Sequence, residues 1–321
     1  MLKFDNYKKK TFTIYWNSFS EKPKKLIRYK NYLKNLKFKI IKLLGFKISI
    51  RIKKSKPHKD EAYISFPVEQ LIKKHRNNLI TNEINSFLKS SGIKYDETKI
   101  LQYINEFDYI FSKSPVKEHE SGFGYNEGVF FFTILKIINP EIVIESGVMK
   151  GFTTYLIDAA TNDNCKIFCY DINFTNKIFN SLKAQYVNSD ISNKIPPIVN
   201  KKVVALWDDH TSQLDRIKFS QEHKIEYNFF DDDLSFLNIH SDGWPPVPTI
   251  SMLKDIKNNF IQSDEFNWVS RNRQGTAYLK NFQDTDCLDK IKFHKIFPQL
   301  FEITGYKNHS QCSLVVNKIT R

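Results

Sequence analysis

Acidic residues follow five apolar, strand-like runs of this chain, and they stand where chemistry is most expected. The five positions are Glu145, Asp171, Asp190, the pair Asp208-Asp209 and the run 231–233. In an open sheet of parallel strands, ligands bind beyond the carboxyl ends of the strands, near the point where the strand order reverses. Acids placed at random would fall on helix faces as often as at strand ends. The pattern therefore predicts a ligand site lined by carboxylates at one edge of a sheet.

The first acid introduces a glycine turn. Glu145 is followed by Ser146-Gly147 and, after three further residues, by Gly151 and a helix-like run through Ala160. A strand, a tight glycine turn and a helix N-terminus bring backbone N–H groups close to a ligand. Glu145 is placed to accept hydrogen bonds from that ligand, whereas a phosphate would prefer amides and cations to a ring of carboxylates. Together the turn and the acids predict a nucleoside site without phosphate.

Asp171 has the position of a ribose-binding carboxylate. It ends the second strand-like run, 26 residues after Glu145, and an acid at about this distance binds the ribose in nucleoside sites. Aspartate is also common in turns and at helix N-caps, so each acid has a purely structural alternative. For Asp190, which closes the turn-like sequence Asn188-Ser189-Asp190, both interpretations stay open.

Alternating strands and helices must position these acids. Between residues 141 and 230 we predict five strands that end at the acids, with helices over residues 152–160, 177–184 and 213–221. This alternation is typical of a parallel sheet covered on both faces. Residues 300–304 and 313–317 flank Gly305-Tyr306 and predict a closing antiparallel hairpin. The fold class is therefore α/β, with a Rossmann-like, doubly wound and mostly parallel sheet.

Composition and pattern divide the chain into three parts. Residues 1–60 are a basic extension, residues 61–120 a helical cap with helices over 68–74, 82–88 and 98–111, and residues 121–321 the Rossmann-like domain. A further helix over residues 130–138 leads into the first strand. With 321 residues, of which 41% are hydrophobic, the chain can bury a full core.

The net charge of +14 belongs to the N-terminal extension. Residues 1–60 hold 19 Lys or Arg against 3 Asp or Glu, a net charge of +16, whereas residues 61–321 hold 30 against 32, a net charge of −2. Apolar residues at steps of three and four over residues 24–47 predict an amphipathic helix with a lysine-rich face. That helix fits a peripheral anchor on an anionic membrane or a solvated helix docked on the body. A nucleic-acid arm is a third alternative, which the scarcity of arginine weakens.

The cysteines and the chain start predict a cytoplasmic protein. The four cysteines show no disulfide framework, and Cys165 and Cys169 are expected to be small buried hydrophobes. The first residues lack the apolar core of a signal peptide, and no run approaches the length of a membrane span. The basic extension would be the route to the inner face of the membrane.

Three stretches carry a resemblance to a known family. They are residues 143–151 (Val-Ile-Glu-Ser-Gly-Val-Met-Lys-Gly), residues 207–210 (Trp-Asp-Asp-His) and residues 230–232 (Phe-Asp-Asp). With the strand order and the terminal hairpin, they resemble the class I S-adenosylmethionine-dependent methyltransferases over about residues 125–321. Within that superfamily they look like the cephalosporin-hydroxylase-like and macrocin O-methyltransferase-like group.

The resemblance implies that the cofactor is S-adenosylmethionine. It places Glu145, Gly147 and Gly151 around the methionine moiety, Asp171 on the ribose and Asp190 near the adenine. Thr153, at the start of the helix that follows the glycine turn, belongs to the same predicted cofactor-binding set.

The resemblance also implies a divalent cation, held by acids at the ends of strands four and five. The matching residues are Asp208 or Asp209, Asp231 and Asp232. Converging carboxylates with few lysines nearby repel one another unless neutralised, and Mg²⁺ suits carboxylate, water and substrate oxygens. The cation would lower the pKa of a substrate hydroxyl, and His210, or a carboxylate such as Asp208, would take the proton. The related enzymes usually carry Asp-Gly-Asp at strand four, so the identity of the first ligand stays open.

The predicted function is methyl transfer from S-adenosylmethionine to a hydroxyl of a small molecule, sugar or glycan precursor. Members of the related group often methylate sugar hydroxyls, and in-line displacement at the sulfonium needs mainly positioning and deprotonation of the acceptor. One alternative is an RNA methyltransferase guided by the basic arm, although the body is not basic and an Asn/Asp-Pro-Pro-aromatic motif is missing. Another is a catalytically inactive membrane-surface binding protein of the same fold. The oligomeric state stays open.

Overall fold

A seven-stranded sheet forms the centre of the larger of two units, which comprise residues 1–69 and 70–321. The computed structural model describes residues 10–16, 48–54, 66–116, 123–236, 245–258, 265–270, 273–278, 282, 285–306 and 310–319. In the first unit, strands β1 (Lys10–Trp16) and β2 (Ile48–Lys54) pair in parallel. The helix predicted over residues 24–47 lies outside the described residues.

The strands of the large sheet run in the order β10-β11-β7-β6-β3-β4-β5. Their bounds are β3 Ile142–Ser146, β4 Lys166–Tyr170, β5 Ala184–Val187, β6 Val203–Trp207, β7 Tyr227–Phe230, β10 Ile291–Ile296 and β11 Ser313–Asn317. Strands β3 to β7 are parallel, and β11 is antiparallel to both β7 and β10. The chain runs outward from β3 to β5 and then returns to β6 on the other side. The order therefore reverses between β3 and β6, next to the glycine turn.

The helices cover both faces of this sheet. They are α1 Phe66–Ser91, α2 Glu97–Lys113, α3 Tyr125–Ile138, α4 Phe152–Ala160, α5 Gln213–Glu222, α6 Ile250–Lys257 and α7 Phe301–Thr304. A separate hairpin joins β8 (Glu265–Ser270) to β9 (Arg273–Tyr278). Among the described residues, no helix has the length and apolar character needed to cross a membrane.

Side chains of the central strands alternate between two cores. Those pointing to one face, including Val143, Ile167, Val204, Leu206 and Phe229, pack with residues of α1 to α4. Those pointing to the other, including Ile144, Tyr170, Ala205, Trp207 and Phe230, pack with residues of α5 and α6. Strands buried on both faces explain the continuous apolar runs in the sequence, because successive strand residues point to opposite faces. The predicted Rossmann-like, doubly wound sheet with a C-terminal antiparallel hairpin is confirmed.

The helical cap shares its core with the sheet. Helix α1 is one continuous helix where two short ones were predicted. Asp96 is the N-cap of α2, and its carboxylate accepts a hydrogen bond from the N–H of Thr98 at 3.0 Å. Helix α3 starts five residues before the predicted helix, at a capping box in which Glu127 accepts from the N–H of Gly124. Buried residues of all three helices lie in the core that also contains Val143.

Two predicted elements were wrong. The helix predicted over residues 177–184 is a loop up to residue 183 that leads into β5, and in this loop the N–H groups of Ile178 and Phe179 both donate to the carbonyl of Lys150. This tertiary contact prevails over the local helical pattern. Residues 301–304 form helix α7, and the first strand of the closing hairpin is β10. A short apolar run does not distinguish strand from helix by periodicity, and Gly305, at φ +73°, ends this one as a helix.

Candidate functional site

A cleft of about 380 Å³ opens at the carboxyl ends of β3 to β6, where the strand order reverses. It is lined by Ser146, Gly147, Met149, Tyr170, Asp171, Ile172, Asn173, Asn176, Ser189, Asp190, Asp208, Asp209, His210 and Thr211. Five of the predicted site residues therefore lie together, namely Gly147, Asp171, Asp190, Asp208 and His210. This is the place at which open α/β sheets bind ligands.

Gly147 allows the turn after β3 to lie directly on the end of β6. Its φ is +90°, and a Cβ atom at this position would lie 2.0 Å from the carbonyl oxygen of Asp208. Hydrogen bonds hold the turn on both sides, from the N–H of Gly147 to the carbonyl of Tyr170 at 2.9 Å and from the N–H of Asp208 to the carbonyl of Ser146 at 2.7 Å. A residue with a side chain would separate the two strand ends.

Asp171 anchors the same turn from the side of β4. Its Oδ2 accepts hydrogen bonds from the N–H groups of Val148 at 2.9 Å and Met149 at 3.1 Å, and its Oδ1 accepts from the N–H of Asn173 at 2.9 Å. A carboxylate offers about four acceptor positions. About one therefore remains for a ligand hydroxyl in the cleft.

Glu145, Thr153 and Gly151 lie behind the wall of the cleft and are not among its lining residues. Glu145 is fully buried and accepts hydrogen bonds from the hydroxyls of Thr153 and Thr154 and from the thiol of Cys169. Burial raises its pKa to about 7 in spite of these donors. Gly151 begins α4 at φ +83°, close to Phe179. In this arrangement the three residues fix the turn and the start of α4.

Asp190 and Asp209 are joined by Arg216, which the sequence analysis did not identify. The guanidinium donates from Nε to Asp209 Oδ2 at 2.8 Å, from Nη1 to Asp190 Oδ1 at 3.3 Å and from Nη2 to Asp190 Oδ2. Burial raises the pKa of Asp190, but the hydrogen bonds from Arg216 outweigh it and lower the pKa to about 2. Asp190 is therefore a permanently ionised acid with a fixed partner.

One signal for Arg216 was present in the composition. The chain contains 42 lysines but only seven arginines, and Arg216 is one of five in residues 61–321. An arginine in so lysine-rich a chain suggests a need for the planar, two-pronged donor geometry that lysine lacks. Ser192 and Thr211, whose hydroxyls also accept from Arg216, gave no comparable signal.

Asp208 and Asp231 form a hydrogen-bonded carboxyl pair at the ends of β6 and β7. Burial and the charge of Asp231 raise the pKa of Asp208 well above its ordinary value. Asp231 is 5% exposed and also accepts hydrogen bonds from the hydroxyl of Ser310 and, at 3.0 Å, from the thiol of Cys312. Both Ser310 and Cys312 were missed, because β11 brings them to the site from 80 residues away.

His210 and Asp232 extend this pair toward the cleft. His210 is 38% exposed at its side chain, and its Nδ1 lies 3.9 Å from Asp232 Oδ2. Both residues have positive φ, 54° and 51°, as does Met149 at 49°. Left-handed backbone at residues other than glycine costs about 1–3 kcal/mol each and tends to cluster at functional sites. Two of these three residues, Met149 and His210, line the cleft.

The carboxyl pair fits a hard divalent cation in its donor chemistry. Mg²⁺ prefers carboxylate oxygens, and it would bind both carboxyl groups in their ionised forms. Asp209 is held by Arg216 and Ser146, which favours Asp208 as the ligand from strand four. Within the described residues, no group of three or more His, Cys, Asp or Glu side chains is arranged to hold a metal ion. A third ligand such as Asp232 would have to move toward the pair.

Comparison with known proteins finds only distant structural likeness. No family model and no curated protein match the sequence. The SAH-bound structure of cmcI-N160 has 13% identity and a TM-score of 0.31, covering 34% of this chain and 61% of that one, so the chain spans less than two thirds of it. An O-methyltransferase from Klebsiella pneumoniae has 8% identity and a TM-score of 0.39 over 73% of this chain and 96% of its own. The SAM-bound O-methyltransferase TomG of Streptomyces achromogenes, involved in tomaymycin synthesis, has 8% identity and a TM-score of 0.36 over 73% and 95%. Such values carry no argument about chemistry, which must come from the residues of the site.

Proposed function

We propose that this chain is an S-adenosylmethionine-dependent methyltransferase that transfers a methyl group to a hydroxyl. One observation carries the proposal: the cleft at the switch point of the sheet is lined by a glycine turn and by Asp171 and Asp190. A glycine turn and four aspartates, with no lysine or arginine among the lining residues, suit a nucleoside better than a phosphate. The sheet order, with its antiparallel β11, agrees with the resemblance noted in the sequence.

The residues of the cleft divide the binding of the cofactor among them. Asp171 keeps about one acceptor position for a ribose hydroxyl while it holds the turn. Asp190 faces the same cleft from the end of β5, where the resemblance places the adenine. Gly147 brings the backbone of the turn close to the ligand. Glu145 and Thr153 support the turn from beneath, and this contribution to binding is indirect.

Catalysis would depend on positioning and on removing one proton. When bound, S-adenosylmethionine supplies a sulfonium-activated methyl group, whose C–S bond breaks as the C–O bond to the acceptor forms. Holding the acceptor in line with that bond is the main requirement. The acceptor hydroxyl loses its proton, and His210, at the cleft and next to Asp232, is the candidate base. Asp208 is the second candidate, in its ionised form.

We propose a sugar or glycan precursor as the acceptor and a divalent cation as an aid to its deprotonation. Asp208, Asp231 and Asp232 would hold the cation, which would orient the hydroxyl and lower its pKa. The support for the cation is the carboxyl pair at the strand ends. The support for the sugar is the resemblance alone.

The basic extension is proposed to contact anionic membrane at the periphery. Its net charge of +16 over residues 1–60 supports this. Partitioning onto vesicles with and without anionic lipid, measured for the full chain and for a variant lacking residues 1–60, tests it. Loss of partitioning with unchanged cofactor binding is expected. Equal partitioning of the two proteins excludes an anchor in the extension.

Calorimetric titration with S-adenosylhomocysteine tests the cofactor assignment. The wild type is expected to bind, and Asp171→Ala to bind at least about tenfold more weakly, because a charge-assisted hydrogen bond is lost. Since Asp171 also holds the turn, thermal unfolding must show that the variant is folded at the titration temperature. Asp163→Ala is the matched control, because that carboxylate is fully exposed and remote from the cleft residues. A wild type that binds no S-adenosylhomocysteine refutes the proposal.

A further inference from the structure

Arg216 connects loops that the sheet alone would hold apart. Asp190 follows β5 and Asp209 follows β6, and two strands, β3 and β4, lie between them. Neighbouring strands are about 4.8 Å apart, so the ends of β5 and β6 are separated by roughly 14 Å. The loops must therefore converge over the ends of β3 and β4, and one guanidinium bridges their carboxylates. Asp209 also accepts from the hydroxyl of Ser146, which ties this bridge to the end of β3.

The position of Arg216 is fixed by its own helix and by the strand beneath it. Helix α5 begins at Ser212, whose side chain accepts a hydrogen bond from the N–H of Asp215. Arg216 follows in the first turn, and its guanidinium carbon lies 5.6 Å from the centre of the Trp207 ring. The side chain is only 3% exposed and does not line the cleft. Arg216 can therefore act on a ligand only through the acids that it holds.

The hydrogen bonds to Asp190 fix the orientation of its carboxylate, as they do in Asp171. Its Oδ1 accepts from the N–H of Ser192 at 2.8 Å and from Arg216 Nη1, and its Oδ2 accepts from Arg216 Nη2. The side chain of Ser192 also forms a hydrogen bond with Asp190. Asp171 and Asp190, two of the four aspartates that line the cleft, are thus oriented before a ligand arrives, and an acceptor oriented in advance loses less freedom when it binds.

We propose that Arg216 is a positioning residue, which sets Asp190 and the wall of the cleft for the base of the bound nucleoside. This inference rests on the proposed function, because the nucleoside is that of S-adenosylmethionine. Without the guanidinium, two partly buried carboxylates would repel each other, and the loops after β5 and β6 would separate. The part of the ligand that Asp190 faces would then be bound less tightly, whereas the ribose contact at Asp171 would remain.

Titrations with S-adenosylhomocysteine and with adenosine test the proposal in Arg216→Gln, Arg216→Lys and Asp190→Asn. Arg216→Gln is expected to weaken both ligands about tenfold or more, since charge-assisted bonds to one wall are lost. Arg216→Lys should recover little affinity, because a point charge does not replace the planar fork. The double variant Arg216→Gln/Asp190→Asn should bind no more weakly than Arg216→Gln alone. The effects of two substitutions are non-additive when both residues act through the same contact.

Arg76→Gln is the control for loss of stability. Arg76 forms a comparable two-pronged pair with Asp108, at 2.9 and 2.7 Å, but lies outside the cleft lining. It should lower the unfolding temperature and leave both dissociation constants unchanged. Wild-type affinity in Arg216→Gln, or an additive double variant, overturns the proposal while the proposed function stands. If Arg216→Gln does not fold, the same titrations are carried out with Arg216→Lys and Asp190→Asn, and wild-type affinity in these variants overturns the proposal. A wild type that binds neither ligand overturns the proposed function, and this inference with it.

Discussion

Gly147 provides the most direct test of the site geometry, through the substitution Gly147→Ala. A Cβ atom there would lie 2.0 Å from the carbonyl oxygen of Asp208 and 2.4 Å from its carbonyl carbon. Both atoms belong to the backbone at the end of β6, so no side chain can rotate away. An ordinary contact would require the turn or the end of β6 to move by more than 1 Å, at the place where the cleft begins.

Two costs add in this variant. Alanine at a left-handed φ costs about 1–2 kcal/mol relative to glycine, and forcing atoms into a packed region costs typically about 1–3 kcal/mol more. The expected loss is therefore about 2–5 kcal/mol, out of roughly 5–15 kcal/mol for a folded protein. Gly305 separates the two costs, because its φ is +73° and an added Cβ would meet no atom within 4 Å. Gly305→Ala should be destabilised only by the first of these costs, that of the left-handed backbone.

Urea unfolding of the wild type and both variants, with calorimetric titration of S-adenosylhomocysteine, provides the measurement. We expect Gly147→Ala to be the less stable variant and to bind at least about tenfold more weakly, since the turn and the cleft wall move together. Gly305→Ala should bind like the wild type. Equal stability of the two variants, or full affinity in Gly147→Ala, would show that the turn does not lie on β6 as described.

Three further predictions concern stability. Asp108→Ala should lower the free energy of unfolding in urea by about 3–5 kcal/mol. The reason is that Asp108 accepts hydrogen bonds from Arg76, Asn77 and Tyr125 in a buried network between α1, α2 and α3. A decrease below about 1 kcal/mol would contradict that network. For Glu145, burial raises the pKa from 4.5 to about 7, so its contribution to stability is complete below pH 4.5 and is lost as the pH rises through 7, by roughly 3 kcal/mol. Stability measured at pH 5 and pH 8 should therefore fall more for the wild type than for Glu145→Gln, and equal falls would refute the raised pKa. For the cation, Mg²⁺ at about 100 times its dissociation constant should stabilise the wild type by about 2.7 kcal/mol, seen as a higher unfolding temperature; no gain in the wild type, or an equal gain in Asp231→Asn, would exclude Asp231 as a ligand.

Much of the sheet could be predicted because its strands are buried on both faces. The runs that became β3, β4 and β6 are short and apolar and end in an acid, and Gly147 marks the turn between β3 and α4. Such patterns depend on neighbouring residues, so the sequence displays them. The terminal hairpin was only half predicted, since β11 is an apolar run whereas β10 alternates basic with apolar residues and is only partly buried.

The partners of the acids could not be predicted, because they depend on contacts between distant residues. Arg216 reaches Asp190 over 26 positions, and Ser310 reaches Asp231 over 79. The spacing of the acids indicated that they share an edge of the sheet, but not which of them would neutralise or hydrogen-bond another. The helix predicted over residues 177–184 was wrong for the same reason, because the backbone there donates hydrogen bonds to the distant carbonyl of Lys150.

These partners change the argument for a cation. From the sequence, the converging carboxylates taken together required a cation for neutralisation. In the structure, most of these carboxylates have a protein partner of their own. Backbone N–H groups bind Asp171, Arg216 binds Asp190 and Asp209, and His294 lies 2.7 Å from Asp233. The pair Asp208–Asp231 differs, because the two carboxyl groups lie against each other, and burial together with the charge of Asp231 raises the pKa of Asp208. A bound cation would favour the ionised form of both groups. Under the proposed function, the argument for a cation therefore applies only to the ends of β6 and β7, near His210, where the acceptor hydroxyl would have to lose its proton.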